Sequence, residues 1–164
     1  MNIIKLESYM IPRAQALAER VFMRFDAPDY SKKGVEGVLR FIYYDMPQKL
    51  QDGTMTVYGC FEKGELLGMC ALDKFEHISL LFVDGSRHRQ GIGSALVKQA
   101  CFAARLHGNE HITVNAAPFA VGFYHKIGFV DVDEPRFEND IVFTPMKKSV
   151  LDKEKKQRYN DNII

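Results

Sequence analysis

A run of β-forming residues, Ile78 to Val83, stops at Asp84-Gly85 and passes through a short basic segment. At Gly91-Ile92-Gly93 it gives way to apolar residues with helical spacing: Ile92, Ala95, Leu96, Ala100 and Ala103 predict a helix over 92–107. Strand, glycine turn and helix aim several unpaired backbone N–H groups and the positive end of a helix dipole at one point. Such a point binds phosphate. Glycine at 91 and 93 lets the backbone approach an anion with no Cβ in the way. Arg87, His88 and Arg89 add positive charge at the rim.

Three kinds of phosphate binder use a glycine turn. A P-loop is excluded, because no Gly-Lys-Ser/Thr follows to supply the lysine and the magnesium hydroxyl. A dinucleotide fingerprint needs a third glycine where Leu96 stands, and the strand lies too far along the chain to open a Rossmann unit. What remains is Gln/Arg-x-x-Gly-x-Gly/Ala after a strand, which His88-Arg-Gln-Gly-Ile-Gly93 fits with His88 in the Gln/Arg position. Farther on, the β-like run His111 to Asn115 precedes Ala117-Pro-Phe-Ala-Val-Gly-Phe-Tyr-His-Lys-Ile-Gly-Phe129. Pro118 suits the first turn of a helix over 118–127, and Gly128 suits its C-terminal cap. Phe123 to Phe129 matches Phe-Tyr-x-Lys-x-Gly-Phe at every fixed position. With both motifs in this order, the chain resembles the GNAT superfamily of acetyl-CoA-dependent N-acetyltransferases. The resemblance covers residues 55 to 145 well and residues 1 to 54 by general layout.

The remaining sequence agrees with one domain. A chain of 164 residues can bury one core, and no break in composition suggests two. The expected division is a single N-acetyltransferase domain over 1–147 and a charged C-terminal extension over 148–164. A net charge of +1 gives no global pull toward nucleic acid or a membrane surface, so neither is an expected partner. No apolar run has bilayer length and no signal-peptide pattern opens the chain, so a cytoplasmic location is expected. Cys60, Cys70 and Cys101 are odd in number and lack metal-ligand spacing, which fits free thiols in a reducing compartment and no metal.

Periodicity predicts a strand over 3–6 and a helix over 11–25 with Ala14, Leu17, Ala18, Val21 and Phe22 inward. A second helix is predicted over 34–43, and a hairpin over 55–62 and 66–72 around Lys63-Gly64. Closing strands are predicted near 129–132 and 140–146. The resemblance implies that this α/β (α+β) order forms a mixed, mostly antiparallel central sheet with helices on both faces.

It also implies the chemistry. Acetyl-CoA is the expected co-substrate. Its pantetheine arm would pair with the edge of Leu81, Phe82 and Val83, and its pyrophosphate with His88, Arg89, Gln90, Gly91, Ile92, Gly93 and Ser94. Asn115 and Phe123 would flank the arm. Tyr124 is the expected general acid for the leaving thiolate, although a packed core tyrosine fits the same spacing. His77, at the start of the strand carrying the site, is a candidate base and equally an ordinary structural histidine. The resemblance does not fix the acceptor; Phe25 to Lys33 and Asp131 to Asp140 are candidate walls for it, and the acids of the second segment would favour a cation or form an ordinary solvated turn. A protein or peptide acceptor and a non-catalytic acetyl-CoA sensor remain open readings. A homodimer follows from the resemblance alone.

Overall fold

The computed structural model describes residues 1–151. In chain order these form β1 (Asn2–Lys5), α1 (Ile11–Phe25), α2 (Lys32–Arg40), α3 (Met46–Gln51), β2 (Met55–Glu62), β3 (Glu65–Asp73) and β4 (His77–Val83). Then come α4 (Ile92–Leu106), β5 (His111–Ala116), α5 (Val121–Lys126), β6 (Val130–Asp131), β7 (Arg136–Glu138) and β8 (Ile141–Ser149). One mixed sheet runs β1-β2-β3-β4-β5-β8-β6, with β7 paired to β8.

The helices cover both sheet faces because each carries one apolar stripe. On α1, Ile11, Ala14, Leu17, Ala18, Val21 and Phe22 are all buried, and this helix packs with Met55, Val57, Met69, Ala71 and Leu80 of the sheet. On α4, Ile92, Leu96, Val97, Ala100, Ala103 and Ala104 are buried against the opposite face, with Cys70, Leu72, Ile78, Ile112 and Val114. No helix among the described residues is long and apolar enough to cross a membrane.

The second helix departs from expectation. It starts at Lys32, where the Ser31 hydroxyl accepts the Gly34 N–H at 3.0 Å, and continues past Tyr43 through a π-turn at Phe41–Asp45 into α3. The Met46 N–H bonds back to Phe41 O, five residues earlier, just before Pro47 removes a donor from the ladder. The closing region also differs, with three strands in place of two. Asn139 and Asp140 both take the left-handed conformation (φ 52° and 61°) and form the two-residue turn that creates β7. Past the expected boundary at 147, β8 runs on to Ser149, and the buried Val150 donates its N–H to Glu110 O at 2.9 Å. The charged run Asp152 to Arg158 lies outside the described residues.

Two irregularities shape the centre of the sheet. Among the described residues β4 and β5 form the one parallel pair, joined only at His77↔Thr113 and Ile78↔Val114, after which the strands part. Beside them, β3 and β4 pair regularly from Gly68↔Val83 to Ala71↔Leu80, and then Leu72 pairs with Ile78. Ser79 is left unopposed, a β-bulge that shifts the pleat by one residue.

Candidate active site

Two cavities meet where β4 and β5 part. The larger, about 700 Å³, lies between the end of β4, the start of α4 and α5. Gly91 caps α4 in the left-handed conformation (φ 81°), and among the described residues no side chain caps this helix, so its first N–H groups keep no acceptor there. A Cβ on Gly93 would stand 3.2 Å from Phe123 Cζ, so glycine there lets the aromatic ring close against the helix start.

Most of the expected cofactor contacts line this cavity: Leu81, Phe82, Val83, His88, Arg89, Gly91, Ile92, Gly93, Ser94, Phe123 and Tyr124. Gln90 does not, because its side chain is turned to Ser86 O and Arg87. His88 lines the cavity yet bends back. Its Nε2–H donates to Val83 O at 2.8 Å, and its ring lies 4.8 Å from that of Phe25. Arg87 is held by Glu62 at 2.6 Å. The strand edge and the backbone of the glycine turn, with Arg89, Ser94 and Lys126, are among the remaining polar groups on the lining.

The smaller cavity, about 350 Å³, is floored by Ile78 to Leu81 and Val114 to Ala117. Aromatic side chains wall it: Phe22, Tyr30, Phe82, Phe119 and Phe143. Of the two segments expected to wall the acceptor, Asp26 and Tyr30 of the first and Glu138 and Asn139 of the second line this cavity. A Cβ on Gly34 would lie 2.8 Å from Asp140 O, so glycine permits α2 to meet the β7–β8 turn. Two of the five acids of that second wall are held by basic partners. His125 holds Asp131 at 2.7 Å and Arg136 holds Asp133 at 2.8 Å, while Glu138 lines the cavity.

Two expected residues are placed differently. Asn115 lines the smaller cavity rather than the cofactor side, because its strand has already diverged from β4. His77 lines neither cavity. It sits at the closed end of the splay with Nδ1 2.8 Å from Thr113 Oγ1, and burial lowers its pKa. His77 is thus not in direct contact with either cavity.

Tyr124 and Asp26 line both cavities. Tyr124 is 4% exposed and sits edge-on to Phe123 and Phe129, at 5.0 and 5.1 Å between ring centres. Burial, with a smaller contribution from Cys70, pushes the phenol above its ordinary range, so it stays a proton donor. Asp26 is 7% exposed, and its Oδ1 has no hydrogen-bond partner among the described residues. Burial and then the neighbouring Asp29 raise its pKa to about 6. From sequence, Asp26 falls within the segment Phe25 to Lys33 expected to wall the acceptor, with no role of its own. A usable signal was present all the same: an acid at the C-terminal end of a helix meets the negative end of the dipole, so helix stability does not explain it.

Charge divides between the cavities. The larger is lined by Arg87, His88, Arg89 and Lys126 against one acid, Asp26. The smaller is lined by Asp26 and Glu138 and, among the described residues, by no lysine, arginine or histidine. No cysteine lines either one. Cys70 is buried with its thiol pushed up to about 12.

The profile of the acetyltransferase (GNAT) domain family matches residues 26–150. Among solved structures the chain is similar to a GCN5-related N-acetyltransferase from Rhodopseudomonas palustris (20% identity, TM-score 0.77, 90% of this chain and 94% of that one). It is similar as well to the PaiA N-acetyltransferase from Thermoplasma acidophilum, in complex with coenzyme A (19%, TM-score 0.73, 90% and 98%). An aminoglycoside 6'-N-acetyltransferase from Enterococcus faecium is more distant (15%, TM-score 0.65, 93% and 99%).

Proposed function

This chain belongs to the GNAT acetyltransferase family, and we propose that it carries an acetyl group from acetyl-CoA to the primary amine of a small molecule by direct attack within a ternary complex. The observation that carries this reading is Tyr124 standing where a basic cavity and an acidic cavity meet.

The larger cavity fits the donor. Free N–H groups at the start of α4, the close approach allowed by Gly91 and Gly93, and the basic lining suit a pyrophosphate. The unpaired edge from Leu81 to Val83 suits the amides of a pantetheine arm, with Phe123 against its apolar stretch. When bound, acetyl-CoA supplies a thioester. A backbone N–H of β4 near Leu81 or Phe82 is the donor for its carbonyl oxygen. The amine lone pair forms the C–N bond as the C–S bond breaks, and Tyr124 gives its proton to the departing sulfur. The acidic N–H of the acylated nitrogen then restores the phenol, directly or through water.

Direct attack is favoured over a covalent relay because no cysteine lines either cavity and the Cys70 thiol is held protonated. A small-molecule acceptor is favoured over a peptide because contact between α2 and the β7–β8 turn bounds the acceptor cavity. A sensor needs no proton donor at the meeting point of the two cavities. Initial velocities with both substrates varied test the proposal, with thiol release as the signal and a panel of primary amines as acceptors. Intersecting lines are expected. Parallel lines, or a burst of thiol without amine, contradict direct attack, and acetyl-CoA binding with no amine turnover contradicts the enzyme.

A further inference from the structure

We propose that Asp26 anchors the acceptor's ammonium and takes its proton, and that the rings around it select a compact amine with an apolar body, of the arylalkylamine kind. This rests on the acetyl-transfer reading above.

Asp26 is more than nine-tenths buried, with Oδ1 unpartnered among the described residues, and it is on the lining of both cavities. A buried carboxylate is ordinarily paired or hydrogen-bonded. No ion pair satisfies this one among the described residues. Its place at the C-terminal end of α1 adds a further electrostatic misfit. A ligand cation removes these misfits together. The ionisable groups around it on the acceptor side are Asp29, Tyr30, Tyr124, Glu138 and Asp140, all acids. On the cofactor side, Arg87 is held by Glu62 and His88 by Val83 O, while Arg89 and Lys126 also line the cavity.

The walls define the rest of the acceptor. Phe22 meets Tyr30 edge-on at 5.3 Å and Phe82 at 6.4 Å, and Phe119 and Phe143 extend the aromatic surface. Ring faces attract a cation and bury an apolar body. A volume of about 350 Å³ is at the small end for a ligand site. The other acid lining it, Glu138, is exposed, so a second ammonium gains little there.

The protons balance. R–NH₃⁺ gives one proton to Asp26, which passes it to water, and the neutral nitrogen attacks the thioester carbon. The second nitrogen proton replaces the one that Tyr124 gives to sulfur. Products are the amide, the free thiol and one released proton.

The test compares wild type, Asp26→Asn and Asp26→Glu on phenethylamine, hexylamine, glucosamine, spermidine and a lysyl peptide. Wild type should favour phenethylamine over glucosamine and spermidine in kcat/KM by roughly tenfold or more. Its profile should fall on the acidic side near pH 6. Asp26→Asn should lose about 10²–10⁴-fold in kcat/KM and lose that limb, with acetyl-CoA affinity unchanged, and Asp26→Glu should recover part of the rate. A folded Asp26→Asn protein with wild-type turnover and an intact acidic limb overturns the assignment, and so does a preference for glucosamine or spermidine. If acetyl-CoA binds but no amine is acetylated, the acetyl-transfer reading fails separately. Calorimetry with phenethylammonium then tests the site alone. Binding lost in Asp26→Asn supports it, and equal binding by both proteins overturns it.

Discussion

Ile78 and Leu80, two residues apart on one strand, face opposite sides of the sheet: Ile78 packs in the core under α4 and Leu80 in the core under α1. A regular strand would put both on one face. Ser79, bulged between them, inverts the phase, so that Leu81 and Val83 join the α4 side and Phe82 the α1 side. The alternation of the segment bordering both cavities is therefore offset at one unpaired residue. Deleting Ser79 should close the bulge and leave the faces unchanged, with Ile78, Leu81 and Val83 on the α4 side and Leu80 and Phe82 on the α1 side. Circular dichroism should still report a folded protein, and calorimetry should find acetyl-CoA binding retained. Lost binding would mean that the local bend of the bulge, and not only the order of faces, shapes the site.

The two glycines of the turn should fail in different ways. Gly91 has open space around its missing Cβ but a φ of 81°, so Gly91→Ala should cost about 1–2 kcal/mol of stability. Gly93 has an ordinary φ but faces the Phe123 ring, so Gly93→Val should displace that ring and weaken acetyl-CoA roughly tenfold. Urea unfolding and calorimetry on both variants separate the two effects, and equal losses in both measurements would contradict the distinction.

Much of this arrangement was legible in the sequence, and the exceptions share a cause. The stripe of α1 was visible because Ala14, Leu17, Ala18, Val21 and Phe22 all serve one buried face. The glycine turn and Tyr124 were visible because local spacing marks them. Ser79 gave no signal, since a bulge is a slip in pairing with a partner strand distant in sequence. The sides taken by Asn115 and His77 depend on where β4 and β5 part, which neither strand encodes alone. Asp26 looked like a loop acid because its burial comes from the cavity walls supplied by other elements. Arg136 to Glu138 did not read as a strand, as all three residues are exposed.

Asp26 should weaken the fold at neutral pH. Below about pH 3.8 it is protonated in both folded and unfolded chains and costs nothing. As pH rises from there toward 6 the unfolded chain ionises first, so stability falls, and the loss is complete above the folded pKa of about 6. The rise from 3.8 to about 6 corresponds to at most about 3 kcal/mol. Asp26→Asn should therefore melt higher than wild type at pH 7 to 8 and at the same temperature below pH 4. A variant less stable at pH 7.5 would show that the carboxylate has a stabilising partner.

His77 should prove structural. With its Nδ1 on Thr113 Oγ1 at the closed end of the splay, His77→Ala should lose about 1 kcal/mol of stability. Its kcat/KM and the acidic limb of the pH profile should stay within a few-fold of wild type. Loss of that limb in His77→Ala, with the fold intact, would return the base to β4.

The role of Tyr124 is tested most directly by Tyr124→Phe, which keeps the ring against Phe123 and Phe129 and removes only the hydroxyl. Single-turnover thiol release, with acetyl-CoA and an accepted amine both saturating, should slow by about 10²–10⁴-fold. The acetyl-CoA dissociation constant should stay unchanged. Wild-type thiol release from this variant would contradict the assignment of Tyr124 as the acid at the meeting point of the two cavities.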